Sequence, residues 1–125
     1  ENLKAALAEF GIRDNIIITQ VVPPLDSSLP IIKEAKSDLG NKLNYVTLEG
    51  YVVGRFILDA MNKMPDNNIS RNALLASING QAFDIGGLKL DFSDDNQGSD
   101  LVIATYLEND RFVVADANDL RKLFR

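Results

Sequence analysis

Residues 15–22, Asn-Ile-Ile-Ile-Thr-Gln-Val-Val, constrain the fold more than any other stretch of this chain. Side chains of a strand point alternately to two faces, so a half-buried strand alternates apolar with polar residues. This run does not alternate and is rich in β-branched residues, the pattern of a strand covered on both faces in a parallel sheet. Pro23-Pro24 ends it, because neither proline has an amide hydrogen for the ladder. Such a strand needs a layer on each side and neighbours at its edges, and the chain offers no second run of the same kind. The expectation is an α/β fold of which these 125 residues hold an incomplete share.

Around that strand the periodicity is mostly helical. Leu3, Ala6, Leu7 and Phe10 fall on one helix face, with Gly11 placed to end it. Ser27 and Ser28 can cap a second helix that carries Pro30 in its first turn and Ile31, Ala35 and Leu39 on one face, closed by Gly40. The longest helix runs from Val46 or Thr47 to Met64. Its expected apolar stripe is Val52, Val53, Phe56, Ile57, Ala60, Met61 and Met64, with Arg55, Asp59, Asn62 and Lys63 facing away. Pro65 to Asn68 breaks it, and Ser70 caps a short helix with Leu74, Leu75 and Ile78 that stops at Asn79-Gly80. Four strands follow, Phe83 to Ile85, Leu88 to Phe92, Leu101 to Leu107 and Arg111 to Ala115, the last two joined through Asn109-Asp110. Asp119 to Arg125 is a final helical turn or a frayed tail.

The chemistry open to the chain is narrowed by what it lacks. With no Cys and no His there are no thiol nucleophiles, no imidazole bases and no zinc site built from those residues. A net charge of −5, with 13 dispersed Lys and Arg, argues against nucleic-acid binding, which needs a concentrated positive field. The serines lack SxxK and GxSxG settings, and Gly86-Gly87 belongs to no phosphate-binding motif, so it reads as a turn or bulge. Asp94, Asp95, Asn96 and Asp100 are oxygen-rich, but with Gly98 as the glycine of a calcium loop the first and twelfth positions would be Ser93 and Ala104. A solvated acidic turn is the expectation, with no metal and no cofactor. The stretch Tyr51 to Met64 is broken by charge and too short to span a bilayer. The chain starts at Glu1 without an initiator Met or an apolar leader, so either a leader has been removed or this is a cut piece.

Several stretches, taken in order, resemble the extracellular ligand-binding receptors of branched-chain amino-acid ABC transporters, the type I periplasmic binding proteins of the Leu/Ile/Val-binding type. They are Ile16-Ile-Ile-Thr-Gln-Val-Val-Pro23, Ser28-Leu-Pro-Ile-Ile-Lys-Glu34, Leu48-Glu-Gly-Tyr-Val-Val-Gly-Arg55, and Phe83-Asp-Ile-Gly-Gly-Leu-Lys-Leu90 with Asp94-Asp-Asn-Gln-Gly-Ser-Asp100. The resemblance implies the C-terminal portion of a two-lobed, three-layered fold with solute held in the cleft between the lobes. It implies that residues 1–20 and 101–125 belong to the C-terminal lobe and 25–100 to the N-terminal lobe. Gln20, Val21, Val22, Pro23 and Pro24 would form one hinge crossing, and the segment near Gly98 to Val102 another.

By the same resemblance Tyr45 is the aromatic that lines the cleft, although a ring packed at a helix entry is an equal reading. Glu49, Gly50 and Tyr51 match well and read as structural. The implied partners are a small amino acid-like solute, an ABC transporter permease, and either the missing N-terminal part of the same protein or another copy of the chain. The implied location is periplasmic or extracellular, secreted or lipid-anchored, and the implied role is binding, not catalysis. A ligand-sensing domain of a signalling receptor on the same fold, or an unrelated small interaction module, are the other readings.

Overall fold

The computed structural model describes residues 2–65 and 69–123. The chain divides into two compact units, one made of Glu1–Val21 with Val102–Arg125, the other of Val22–Leu101. The backbone therefore passes between units twice, at Val21/Val22 and at Leu101/Val102.

The unit of Val22–Leu101 contains α2 (Pro30–Leu39), α3 (Tyr45–Asn62), α4 (Arg71–Ile78) and a hairpin of β2 (Ala82–Ile85) with β3 (Leu88–Asp91). Its core takes Ile31, Ile32 and Ala35 from α2, Leu48, Val52 and Ala60 from α3, Phe83 and Ile85 from β2, and Val22. Phe56 meets Phe83 edge-on at 5.0 Å and stacks on Phe92 at 5.2 Å between centroids, geometries that aromatic quadrupoles favour. Gly86 and Gly87 turn the hairpin with φ of 57° and 88°, values open to glycine at little cost. The Gly86 carbonyl accepts the Ile31 amide at 3.1 Å, tying the turn to the start of α2.

Three local expectations are corrected here. Neither Ser27 nor Ser28 caps α2: its N-cap is Leu29, without a side-chain cap, and the Ser27 hydroxyl accepts the Leu29 amide at 3.3 Å instead. Pro30 itself opens the helix, where a missing amide hydrogen costs nothing. The apolar stripe of α3 is rotated from the expected one. Leu48, Val52 and Ala60 are buried and Phe56 partly so, while Val53 and Met61 are exposed. Arg55 and Asp59 do not face away either, both being half-buried on the core flank, and the Lys63 ammonium sits 3.8 Å above the Phe83 ring. Residues 66–68 of the expected break after this helix lie outside the described residues.

The other unit holds α1 (Asn2–Glu9), β1 (Ile17–Gln20), β4 (Ile103–Glu108), β5 (Arg111–Val114) and α5 (Ala117–Leu123). The sheet order is β1-β4-β5 and both pairings are antiparallel, with Ile18 opposite Thr105. This corrects the parallel setting expected for β1. Its side chains run buried at Ile16, half-buried at Ile17 and Ile18, and exposed at Thr19, so neither face is fully covered. The Thr105 hydroxyl, buried, donates to the Ile18 carbonyl at 2.8 Å. Asn109 and Asp110 both take positive φ and turn β4 into β5, as the hairpin reading requires. The expected inner face of α1 fails: Leu3 and Phe10 are exposed, and the helix is tied down by Lys4, whose ammonium lies 2.8 Å from the Asp110 carboxylate. The expected final helical turn begins earlier, at Ala117, and its residues 124–125 lie outside the described residues.

Candidate functional site

Tyr45 is the first residue of α3, and its position is fixed by the cap before it. The Asn44 side chain accepts the amides of Val46 and Thr47 at 3.0 and 3.1 Å, while the Thr47 hydroxyl accepts the Asn44 amide at 2.9 Å. This reciprocal capping box holds the first turn, so the tyrosine has little freedom at its backbone. The ring is partly buried and packs against the core cluster. Its phenol is pushed up, first by burial and then by the charge of Asp26, with a backbone hydrogen bond from Leu25 working the other way. It is therefore a neutral, amphipathic group suited to apolar contact with a polar tip.

The segment Gln20 to Pro24 runs through one of the two junctions between units. Gln20 ends β1 opposite Ile103, Val21 is exposed, Val22 and Pro23 are buried, and Pro24 is half-buried. Pro23 and Pro24 have fixed φ, which stiffens the stretch that follows the junction. Val22 is anchored in the core of its unit.

The acidic turn carries its carboxylates against its own backbone. Asp91 accepts the Ser93 amide at 2.9 Å, and the Ser93 hydroxyl and amide together hold its pKa below the usual carboxylate value. Asp95 accepts the Gln97 amide at 2.7 Å, and the Gln97 side-chain amide donates to Asp100 at 2.6 Å. Asp95, Asn96 and Gln97 line an open surface depression. Among the described residues no group of three or more His, Cys, Asp or Glu could hold a metal ion.

One cluster was not foreseen from sequence. Across α2 and α3, Arg55 pairs with Glu34, and the Tyr51 hydroxyl donates to Asp38 at 2.7 Å. The i to i+4 spacing of Glu34 with Asp38, and of Tyr51 with Arg55, is the signal that could have revealed it. The Tyr51 phenol is raised, chiefly by that hydrogen bond to Asp38. The cluster joins α2 to α3 at a partly exposed edge of their packing.

Two solved structures are similar to this chain. One is a possible leucine/isoleucine/valine-binding protein from Rhodopirellula baltica SH 1, with 34% identity and a TM-score of 0.72 over 84% of this chain. The other is an extracellular ligand-binding receptor from Verminephrobacter eiseniae, with 30% identity and a TM-score of 0.66 over 80% of this chain. The chain spans 30% and 31% of their respective lengths. No family model matches the chain, and no curated protein matches it significantly.

Proposed function

Starting from a chain that forms part of a type I periplasmic-binding-protein fold, whose solved neighbours are binding proteins, we propose that it serves an extracellular solute-binding receptor of an ABC importer. The receptor holds a small amino acid-like solute in an interlobe cleft and catalyses nothing. The observation that carries this reading is the 34% identity to a possible leucine/isoleucine/valine-binding protein at a TM-score of 0.72. In this reading residues 1–20 and 101–125 belong to the C-terminal lobe and 25–100 to the N-terminal lobe, a division supported by the two compact units, with Gln20 to Pro24 as one hinge crossing. Tyr45 lines the cleft. A ligand that touches both lobes stabilises the closed form because only there does it make both sets of contacts. The remaining partners are the transporter permease and the rest of the receptor polypeptide, in a periplasmic or extracellular location.

The test is made on the polypeptide encoded by the complete reading frame. Thermal shift and calorimetry against aliphatic amino acids, amides, urea-like compounds and aromatic acids are expected to find one tight solute. Tyr45→Ala is expected to weaken it by roughly tenfold, the equivalent of about 1.4 kcal/mol. A complete receptor that binds none of these classes overturns the solute reading, and a kinase or cyclase domain following Arg125 replaces the importer with a signalling sensor.

A further inference from the structure

The side of α3 that turns away from the core is apolar as well. Val46, Gly50, Val53, Gly54, Ile57 and Met61 follow one another at helical spacing, beside Leu58, and none of the helix's three charged residues, Glu49, Arg55 and Asp59, lies among them. Val46, Val53, Leu58 and Met61 are exposed, Val46 to 77%. At Gly50 and Gly54 an added Cβ would meet nothing within 4 Å, so a shallow trough one turn long runs along the stripe. A helix face built for water carries charge; this one carries aliphatic groups and two glycines that expose backbone. It is a face shaped for close approach by another apolar layer.

We infer that this stripe of α3 seats the part of the receptor polypeptide that lies outside residues 1–125, presented as an uncharged aliphatic layer. The inference rests on the receptor reading above and names the surface it needs. The two similar proteins carry more than twice as much chain as the matched portion, and the matched portion keeps its fold in them. Their additional chain has to pack on something that the shared part leaves open. A second copy of this chain is the weaker occupant: a single stripe of seven residues is well short of the roughly 20–30 residues a side of a standard protein interface.

Residues 1–125 hold no cysteine, so Val53→Cys supplies the one thiol in this part of the chain, and any cysteine elsewhere in the complete polypeptide is first replaced by serine. It is placed in the polypeptide of the complete reading frame, beside a reference variant, Lys33→Cys, on the exposed side of α2. The Val53→Cys thiol is expected to react with a soluble disulfide reagent at least ~100-fold more slowly than the reference, since modification would need local opening. Equal rates in a folded protein overturn the proposal, as does a reading frame that encodes nothing beyond residues 1–125. Protection seen in the 125-residue chain alone, rising with its concentration, assigns the stripe to a second copy and overturns it too. Val46→Cys repeats the measurement if Val53→Cys disturbs folding. Solute binding is measured separately on the same polypeptide, so a protected thiol without a ligand would sink the receptor reading and leave this one standing.

Discussion

Gly86 shows how a single position can lock two elements. Its carbonyl takes the Ile31 amide, and a Cβ built on it would lie 2.8 Å from that same nitrogen, against backbone that cannot swing aside. Gly86→Ala is expected to cost roughly 1–3 kcal/mol by crowding, plus about 1–2 kcal/mol for a side chain at positive φ. Urea denaturation measures this, and a loss under about 0.5 kcal/mol, as at an ordinary surface site, would show that α2 can slide. Asp110 sets a different kind of dependence. The Lys4 hydrogen bond and then the Lys4 charge hold its carboxyl below the usual range, against burial, with Arg13 adding a little. A folded pKa below the unfolded one gives a stabilisation fully present above the unfolded value and lost as pH falls through the folded one. The attachment of Lys4 to the β4–β5 turn is thus expected to weaken at the acid end, where the bond from the Lys4 ammonium to the Asp110 backbone carbonyl at 3.1 Å is left, and Asp110→Asn to remove that acid limb. Side-chain carboxyl shifts followed by NMR check it; titration at the ordinary carboxylate value would refute the pairing.

Between α2 and α3 two kinds of interaction compete for credit. The Arg55–Glu34 ion pair is about two-fifths exposed on both partners, and such pairs contribute about 0–1 kcal/mol. Leu48 is fully buried against Ile31 and Ile32 in the same core, and removing a buried leucine side chain costs about 2–5 kcal/mol. Leu48→Ala is therefore expected to destabilise the unit several-fold more than Arg55→Met, and a double-mutant cycle with Glu34→Gln to give a small coupling. A coupling larger than the Leu48→Ala loss would reverse that order. Asn44→Ala, which removes the cap of α3, is expected to cost about 1 kcal/mol, seen as a lower urea midpoint. The extent of α3 was legible in sequence because its ends carry local signals, yet its inner face was not. With Leu48, Val52 and Phe56 on one side and Val46, Val53 and Met61 on the other, apolar periodicity selects no face. The location of β1 was legible for the same local reason, whereas its antiparallel partner β4 lies more than 80 residues on and leaves no mark in the strand itself. Of the candidate site, Tyr45 and the stretch Gln20 to Pro24 were singled out through the resemblance alone, and the Arg55, Glu34, Tyr51 and Asp38 cluster depends on how two helices meet.

Across the whole molecule the two units are unequally built. Among the described residues, the unit of Val22–Leu101 holds nine buried apolar side chains, whereas the other has Ile16, with Thr105 as its buried polar partner. Regions with few buried apolar contacts open first. Amides of β1, β4 and β5 are expected to exchange with solvent at least roughly tenfold faster than those of α3 and β2, a difference that hydrogen exchange with mass spectrometry resolves. Uniform protection would show one cooperative block. The pairing of β1 with β4 also sets a timetable. The ribosome finishes β1 long before it reaches Ile103, and at about 5–20 residues per second the strand waits several seconds for its partner. During that interval β1 lacks its partner β4, while the intervening segment can already collapse onto its own core. Order of synthesis therefore lets the unit between β1 and β4 gather its core before that pairing can close, and leaves one apolar strand edge open to chaperones in the meantime.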